Sequence, residues 1–334
     1  MEEKVYDFVI IGSGLGGLEC AYILASEGHS VCVLEKNRQL GGSLQVFSRN
    51  KRVFDTGVHY IGGLDEGQNM NQFFKYFGVL DRVKIKKLDI DGFDRIKFKG
   101  DDKYYCYGQG YDNFKRLLIQ DFPKESEAIN TYCNKIIEIT KEFPMYNISD
   151  ELDPNYFSKD YLTIDTKTYI ESLTEDKKLR NVLAGTITLY AGVADETPLY
   201  VHALVINSYI ESAYRFVDGG SRIAIALAKN IKKKGVKVLT NAKVVSSTFE
   251  KNAEIKKAKM LSVILEDGTE IKAKIFISNI APSQTIDIVG EDKFKRAYVN
   301  RMKKLKRTIS SFTFAFVIKK EYCKISKSQH ILLF

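Results

Sequence analysis

The chain has 334 residues, with 51 Lys plus Arg against 42 Asp plus Glu, a formal net charge of +9. Its 44% apolar content, including 19 Tyr and 20 Phe, supports a sizeable core spread over about two domains. The 23 glycines and five prolines exclude collagen-like and low-complexity classes, and charges of both signs exclude a disordered chain. No apolar run approaches the roughly 18 residues of a membrane span; the best, 308–318, is broken by Ser310, Ser311 and Thr313. Met1-Glu2-Glu3-Lys4 is not a basic leader, so no secretory signal is expected. Cys20, Cys32, Cys106, Cys133 and Cys323 are odd in number, scattered and without a C-x-x-C pair. Neither a disulfide framework nor a metal site is therefore expected, and a cytoplasmic location is the simpler reading.

In chain order, Phe8-Val9-Ile10-Ile11 is a short continuous apolar run, the pattern of a strand buried on both faces. Gly12-Ser13-Gly14-Leu15-Gly16-Gly17 follows, then a helical pattern through Leu18, Ala21 and Leu24 that Gly28 stops. Val31-Cys32-Val33-Leu34 is a second buried strand, ending at Glu35. Residues 71–80 and 113–119 read as aromatic-rich helices. Asp218-Gly219-Gly220-Ser221 opens a helix running to Ile231, with Ser221 as its N-cap, and Gly235 precedes a strand at 236–239. Strands at 258–265 and 270–277 flank Asp267-Gly268, a hairpin signal.

In 293–307, eight of fifteen residues are basic and none is acidic, while Phe294, Tyr298, Met302 and Leu305 recur at helical spacing. The plain reading is a surface helix with a solvated lysine face; the sharper one is peripheral contact with a membrane surface. No nucleic-acid motif accompanies the charge, so nucleic acid is not expected as a partner.

Gly12-x-Gly14-x-x-Gly17 gains specificity from its setting: it follows a strand, opens a helix, and precedes Glu35 by 18 positions. Gly12 permits the tight turn, Gly14 admits a pyrophosphate to the backbone, and Gly17 allows close helix–strand packing. Unpaired N–H groups at the helix start favour the anion. Glu35 accepts from both ribose hydroxyls and disfavours a 2′-phosphate by like charge.

The extension Glu35-x-x-Arg38-x-x-Gly41-Gly42 resembles that of FAD enzymes of the glutathione-reductase type, especially amine oxidases and phytoene desaturases. Phe54-Asp55-Thr56-Gly57-Val58-His59-Tyr60-Ile61-Gly62 closely resembles the segment that follows in retinol saturases, carotenoid isomerases and their bacterial relatives. Residues 113–130, with Phe122-Pro123 inside, are similar to the start of that family's substrate domain. Phe216-x-Asp218-Gly219-Gly220-Ser221 is similar to its Gly-Gly loop, lacking the proline common before it, and Ser278-Asn279-x-Ala281-Pro282 to its returning element.

The resemblance implies an α/β fold: a Rossmann-like FAD-binding domain with an inserted α+β substrate domain. The expected division is 1–66 and 211–292 for the FAD domain, 67–210 and 293–334 for the substrate domain. Implied cofactor contacts are Gly12, Gly14, Leu15, Gly16, Gly17, Glu35, Lys36, Arg38, Gly41, Gly42, Ser43, Gly57, His59, Asn279, and Val244, whose backbone passes under the adenine. His59 and Tyr60 are the implied catalytic residues, facing flavin N5 or the substrate; a packed core histidine is the plainer reading of His59. His202 is expected to pack near the substrate domain, and His29 and His330 look incidental. The implied function is FAD-dependent hydride transfer at a carbon–carbon bond of an apolar polyene: desaturation, saturation or isomerisation. The alternatives are a flavin amine oxidase-like enzyme and a truncated, non-catalytic nucleotide-binding fragment. The family carries a second FAD segment that this sequence lacks, so a truncated member with weak flavin retention is expected.

Overall fold

A computed structural model describes residues 4–149, 153, 155–250, 259–305, 314, 317 and 330–333. Cys323, Lys306, Arg307 and most of the apolar run 308–318 lie outside the described residues. The chain divides into two compact units. The first comprises residues 1–59, 74–84 and 216–307, the second 60–73, 85–215 and 308–334.

The first unit is built on a six-stranded sheet. Its order is Lys237–Leu239, Val31–Leu34, Val5–Ile11, Glu270–Ser278, Met260–Leu265, Val244–Phe249. The first four strands run parallel and the last three form an antiparallel meander. The two strands nearest the N-terminus thus find their outer neighbours more than 200 residues downstream. On one face Val9, Ile11, Cys32, Leu34, Val244, Val263 and Leu265 form a buried cluster. Alternation sends Ile10 and Val33, both fully buried, to the other face. The helices Leu15–Ser26 and Ser221–Lys233 pack against each other. Both end on the same device: Gly28 and Gly235 take φ of +87° and +86°, letting His29 and Val236 N–H groups reach back to Leu24 and Ile231 carbonyls.

Ser221 is not an N-cap. The helix begins after Gly220, so Ser221 lies in its first turn, and no side-chain cap is made; the Gly220 N–H donates to Asp55 Oδ1 at 2.8 Å. That carboxylate also excludes a side chain from Gly219, whose Cβ would stand 2.7 Å from Asp55 Oδ1. The 258–277 hairpin forms as Met260–Leu265 and Glu270–Ser278, with Gly268 at φ +84°. The basic stretch is a 3-10 turn, Glu291–Lys293, and a helix, Arg296–Lys304. Its buried residue is Val299, while Phe294, Tyr298 and Met302 are half-buried and Leu305 is exposed.

The second unit is mainly helical around an aromatic core. Tyr111–Asp121, Ser126–Glu142 and Leu199–Glu211 bury Phe114, Leu118, Ile129, Tyr132, Ile136 and Ile206. Pro123 breaks what the periodicity would run together: Phe122 leaves the helical region, and a 3-10 turn, Pro123–Glu125, reorients the chain. A three-stranded sheet of Ile61–Gly62, Ala213–Phe216 and Ile85–Lys87 adjoins this core, and Asp94–Lys97 pairs with Tyr105–Tyr107. No helix among the described residues is long and apolar enough to cross a membrane.

Candidate functional site

The first unit contains a cleft of about 800 Å³ at the carboxyl ends of Val5–Ile11 and Val31–Leu34, within the size range of cofactor sites. It starts from the glycine turn. Gly12 has φ +99°, and a Cβ there would lie 2.8 Å from the Asn279 carbonyl oxygen. A Cβ on Gly17 would lie 2.3 Å from the Gly12 oxygen, so the helix Leu15–Ser26 seats directly on its own turn. Gly14 is the N-cap residue and supplies no side-chain cap. The first-turn N–H groups, which have no intrahelical acceptor, therefore remain for an anion, with the helix dipole in its favour.

Glu35 directly follows the second strand, only 6% exposed. Its Oε2 accepts from the Ser13 N–H (3.1 Å) and Oγ (2.5 Å), and its Oε1 from the Asn37 N–H (2.9 Å). The carboxylate thus ties the glycine turn to the strand end before any ligand arrives. One lone-pair direction on Oε1 and the rim position of Asn37 leave it able to accept a hydroxyl.

The ribbon at Gly41-Gly42 closes over this turn. Gly41 donates to the Ser13 carbonyl at 3.0 Å and bridges Gly14, with φ +108°. A Cβ on Gly42 would stand 3.2 Å from Gly14 Cα, so side chains on either strand of this crossing would fill the cradle. Gly57 supports the ribbon from behind, where a Cβ would meet the Ser43 oxygen at 2.8 Å. Asn279 completes the frame: its N–H donates to the Ile11 carbonyl at 2.8 Å, and its amide lies beside Gly14, Gly16 and Gly17.

Of the expected cofactor contacts, Gly12, Gly14, Leu15, Gly16, Glu35, Lys36, Gly41, Gly42, Ser43, Val244 and Asn279 line the cleft. Gly17 and Gly57 act one layer back as packing positions, and Arg38 is exposed outside the lining. His59 is exposed and makes no hydrogen bond among the described residues, while its neighbour Val58 lines the cleft. Tyr60 belongs to the second unit, buried, with its hydroxyl donating to Asp94 at 2.7 Å and its ring against Tyr209. Among the described residues no group of His, Cys, Asp or Glu could hold a metal ion, and Cys20, Cys32, Cys106 and Cys133 are free thiols.

A family profile described as an NAD(P)-binding Rossmann-like domain matches residues 10–77. The all-trans-retinol 13,14-reductase of Homo sapiens is 30% identical over 261 residues, 72% of this chain and 42% of that protein. Prolycopene isomerase 2, chloroplastic, of an Oncidium hybrid cultivar is 29% identical over 322 residues, 89% of this chain and 53% of the relative. The chain is a homologue of these retinol reductases and prolycopene isomerases. It spans about half the length of the curated relatives it matches. The crystal structure of an oxidoreductase from Methanosarcina mazei shares the fold, with a TM-score of 0.64 at 21% identity, covering 90% of this chain and 65% of that one.

Sequence reasoning missed part of the lining in this homologue of the retinol reductases. Ser13 is hidden in the motif as a variable position, yet it carries Glu35. Ala242, Lys243, Val245, Gln284, Asp287 and Ile288 also line the cleft. Their only signal in the sequence is the 284, 287, 288 spacing of one helix face, uninformative until the helix is docked.

The second unit holds a separate polar chain in its core. His202 is fully buried, with Nε2 2.6 Å from the Tyr132 hydroxyl and Nδ1 2.7 Å from that of Tyr190. Burial lowers the His202 pKa to about 4, so the ring is neutral near pH 7.

Proposed function

We propose that this chain is the FAD-binding and substrate-binding part of an oxidoreductase acting on a carbon–carbon bond of an apolar polyene, by desaturation, saturation or isomerisation. The observation that carries the cofactor reading is the Gly41-Gly42 ribbon, which bridges Gly14 and extends the cleft past the phosphate-binding turn to Ser43 and Val58. A dinucleotide with a long second half uses that extension; the lining residues fit FAD. When bound, FAD supplies hydride transfer at its ring system. The protein's share is binding and orientation. The helix start at Leu15 and Gly16 holds the diphosphate, Glu35 accepts from the adenosine ribose, and Asn279 braces the turn. The Gly41-Gly42 ribbon and Ser43 follow the chain toward the ring, and Val58 shields it from water.

The polyene reading rests on the relatives, whose names are those of a retinol reductase and a prolycopene isomerase. Of the two residues expected to face the reaction, His59 is the one we propose for proton transfer or substrate contact, since it is exposed beside Val58. Tyr60, committed to Asp94, anchors the segment that carries it. A polyene partitions into bilayers, because each buried CH₂ contributes about 0.8 kcal/mol. The helix Arg296–Lys304, with Val299 buried and Arg296, Arg301, Lys303 and Lys304 exposed, fits peripheral contact with an anionic membrane surface.

Equilibrium titration of the purified chain with FAD and with NAD tests the cofactor assignment. FAD binding at least tenfold tighter than that of NAD is the expected result. Tight NAD binding with no FAD binding would overturn it.

A further inference from the structure

Between the Gly41-Gly42 ribbon and Val58 the chain forms a hairpin, Val46–Arg49 and Arg52–Asp55, whose strands pair with each other and with no other strand. Its two-residue turn, Asn50-Lys51, has φ of +47° and +60°, the left-handed pair of a type I′ turn. The pairings Phe47↔Phe54 and Arg49↔Arg52 put these four side chains on one face, and alternation sends Val46, Ser48, Val53 and Asp55 to the other. The second face is the anchored one. Asp55 accepts from the Gly220 N–H at 2.8 Å, and a Cβ on Gly219 would meet Val46 Cγ1 at 2.9 Å. The face of Phe47 and Arg49 therefore turns away from the Gly219 loop.

That outward face is apolar and basic, with nothing to balance it. Phe47 is 49% exposed and stacks on Phe54, with ring centroids 5.1 Å apart and 20° between the planes. Arg49 and Arg52 are exposed directly opposite each other, and like charges so placed repel. Lys51 sets a third cation at the tip, on a left-handed residue where glycine is the ordinary choice. None of the three makes a hydrogen bond or ion pair among the described residues, and 46–54 holds no acidic residue. A two-stranded hairpin on its own is marginal in water, and this one carries an exposed aromatic and a repelling pair besides. Its complement is a surface with dense negative charge over an apolar layer.

We propose that the hairpin 46–55 is a docking finger for an anionic bilayer surface. Laid flat by its outward face, it sets Phe47 at the boundary of headgroups and acyl chains. The long arginine side chains then reach lipid phosphates, which relieve their mutual repulsion. A nucleic acid would engage the cations as well, but its bases stack on open ring faces, and here each ring covers one face of the other. The inference deepens the polyene reading and rests on it for the identity of the partner. Only Thr56 and Gly57 separate Asp55 from the cleft-lining Val58, so a docked finger holds the cleft beside the phase that dissolves such a substrate. This contact is separate from the helix Arg296–Lys304.

The chain has no tryptophan, so Phe47→Trp places a single indole reporter on this face. Its emission is followed while the purified chain is titrated with phosphatidylcholine vesicles, with and without phosphatidylserine. The expected result is a blue shift on the phosphatidylserine vesicles and quenching by lipids brominated along their acyl chains, both lost at high salt. Arg49→Gln combined with Arg52→Gln should weaken partitioning by about thirtyfold, roughly fivefold for each cation near the surface. The urea midpoint of that variant should hold or rise, because the opposed charges are gone. Phe47→Ser should weaken partitioning by about three- to tenfold, the gain from burying the exposed half of the ring. Binding of phosphatidylserine vesicles with no shift of the indole would put the contact elsewhere and overturn the proposal, as would the absence of vesicle binding. A shift with single-stranded DNA and none with vesicles would reassign the finger to nucleic acid and overturn it too. The readout uses neither cofactor nor polyene, so its failure and that of the oxidoreductase reading are told apart.

Discussion

Two adjacent glycines of the Gly12–Gly17 turn should respond oppositely to the same methyl group. Gly16 and Gly17 both lie in the helix Leu15–Ser26. Alanine is favoured over glycine in a helix by about 0.5–1 kcal/mol. At Gly16 the added Cβ meets Asn279 Oδ1 at 3.4 Å, an ordinary contact, so Gly16→Ala should be neutral or stabilise by up to that amount. At Gly17 the Cβ would lie 2.3 Å from the Gly12 carbonyl oxygen and 2.8 Å from Asn279 Nδ2. The helix must withdraw by about 1 Å from a turn already fixed by the φ of +99° at Gly12. Overpacking of that kind costs about 1–3 kcal/mol, more than the propensity gain. The propensity gain is common to both variants and cancels, so they should differ by about 1–3 kcal/mol, roughly 0.5–1 M in urea midpoint. Urea unfolding followed by far-UV circular dichroism measures the difference. Equal midpoints for Gly16→Ala and Gly17→Ala would refute the claim that the helix seats on the Gly12 carbonyl.

The neutral, buried His202 makes a pH prediction. Its folded pKa of about 4 lies below the unfolded value near 6.5, so the unfolded chain binds the proton first. Stability is unaffected above pH 6.5 and falls by about 1.4 kcal/mol per unit toward pH 4, roughly 3 kcal/mol in all. In His202→Gln that part of the acid slope should vanish; an unchanged slope would show that other groups produce it. For the membrane reading, changing Arg301, Lys303 and Lys304 to Glu should remove about 3 kcal/mol of attraction to anionic vesicles, near a hundredfold in partitioning. Flotation of this variant equal to that of the parent chain would reduce the helix to an ordinary surface element.

The turn between Phe8 and Glu35 was legible because each of its elements is local. A buried strand, three glycines at fixed spacing, a helix with a glycine stop, and a second buried strand all fall within 35 residues. The reasons for the glycines were only partly legible. Gly17 excludes a side chain because of the Gly12 oxygen and Asn279, and Gly12 because of Asn279 and Ile280, which arrive from far downstream. The helix at 221 shows the limit more sharply. Ser221 has the composition of an N-cap, yet Asp55, from a strand 165 residues earlier, holds the Gly220 N–H at the loop before the helix. The residue that the local pattern marks as a cap lies inside the first turn instead, after a loop held by a carboxylate that the fold supplies.

The sequence by itself determined the glycine turn, its acidic partner Glu35, and the extension through Gly41-Gly42. All of these follow from backbone sterics and hydrogen-bonding needs within a few turns of chain. Only the tertiary structure decided what stands across the cleft. The strands 237–239 and 270–278 flank the first βαβ unit, bringing Val244, Gln284 and Asp287 to its mouth. It also decided that Tyr60 is spent on Asp94 while adjacent His59 stays exposed. Those outcomes depend on which apolar surfaces bury one another over separations of tens to hundreds of residues. No local pattern encodes that choice, because it is made by the summed packing of the whole core.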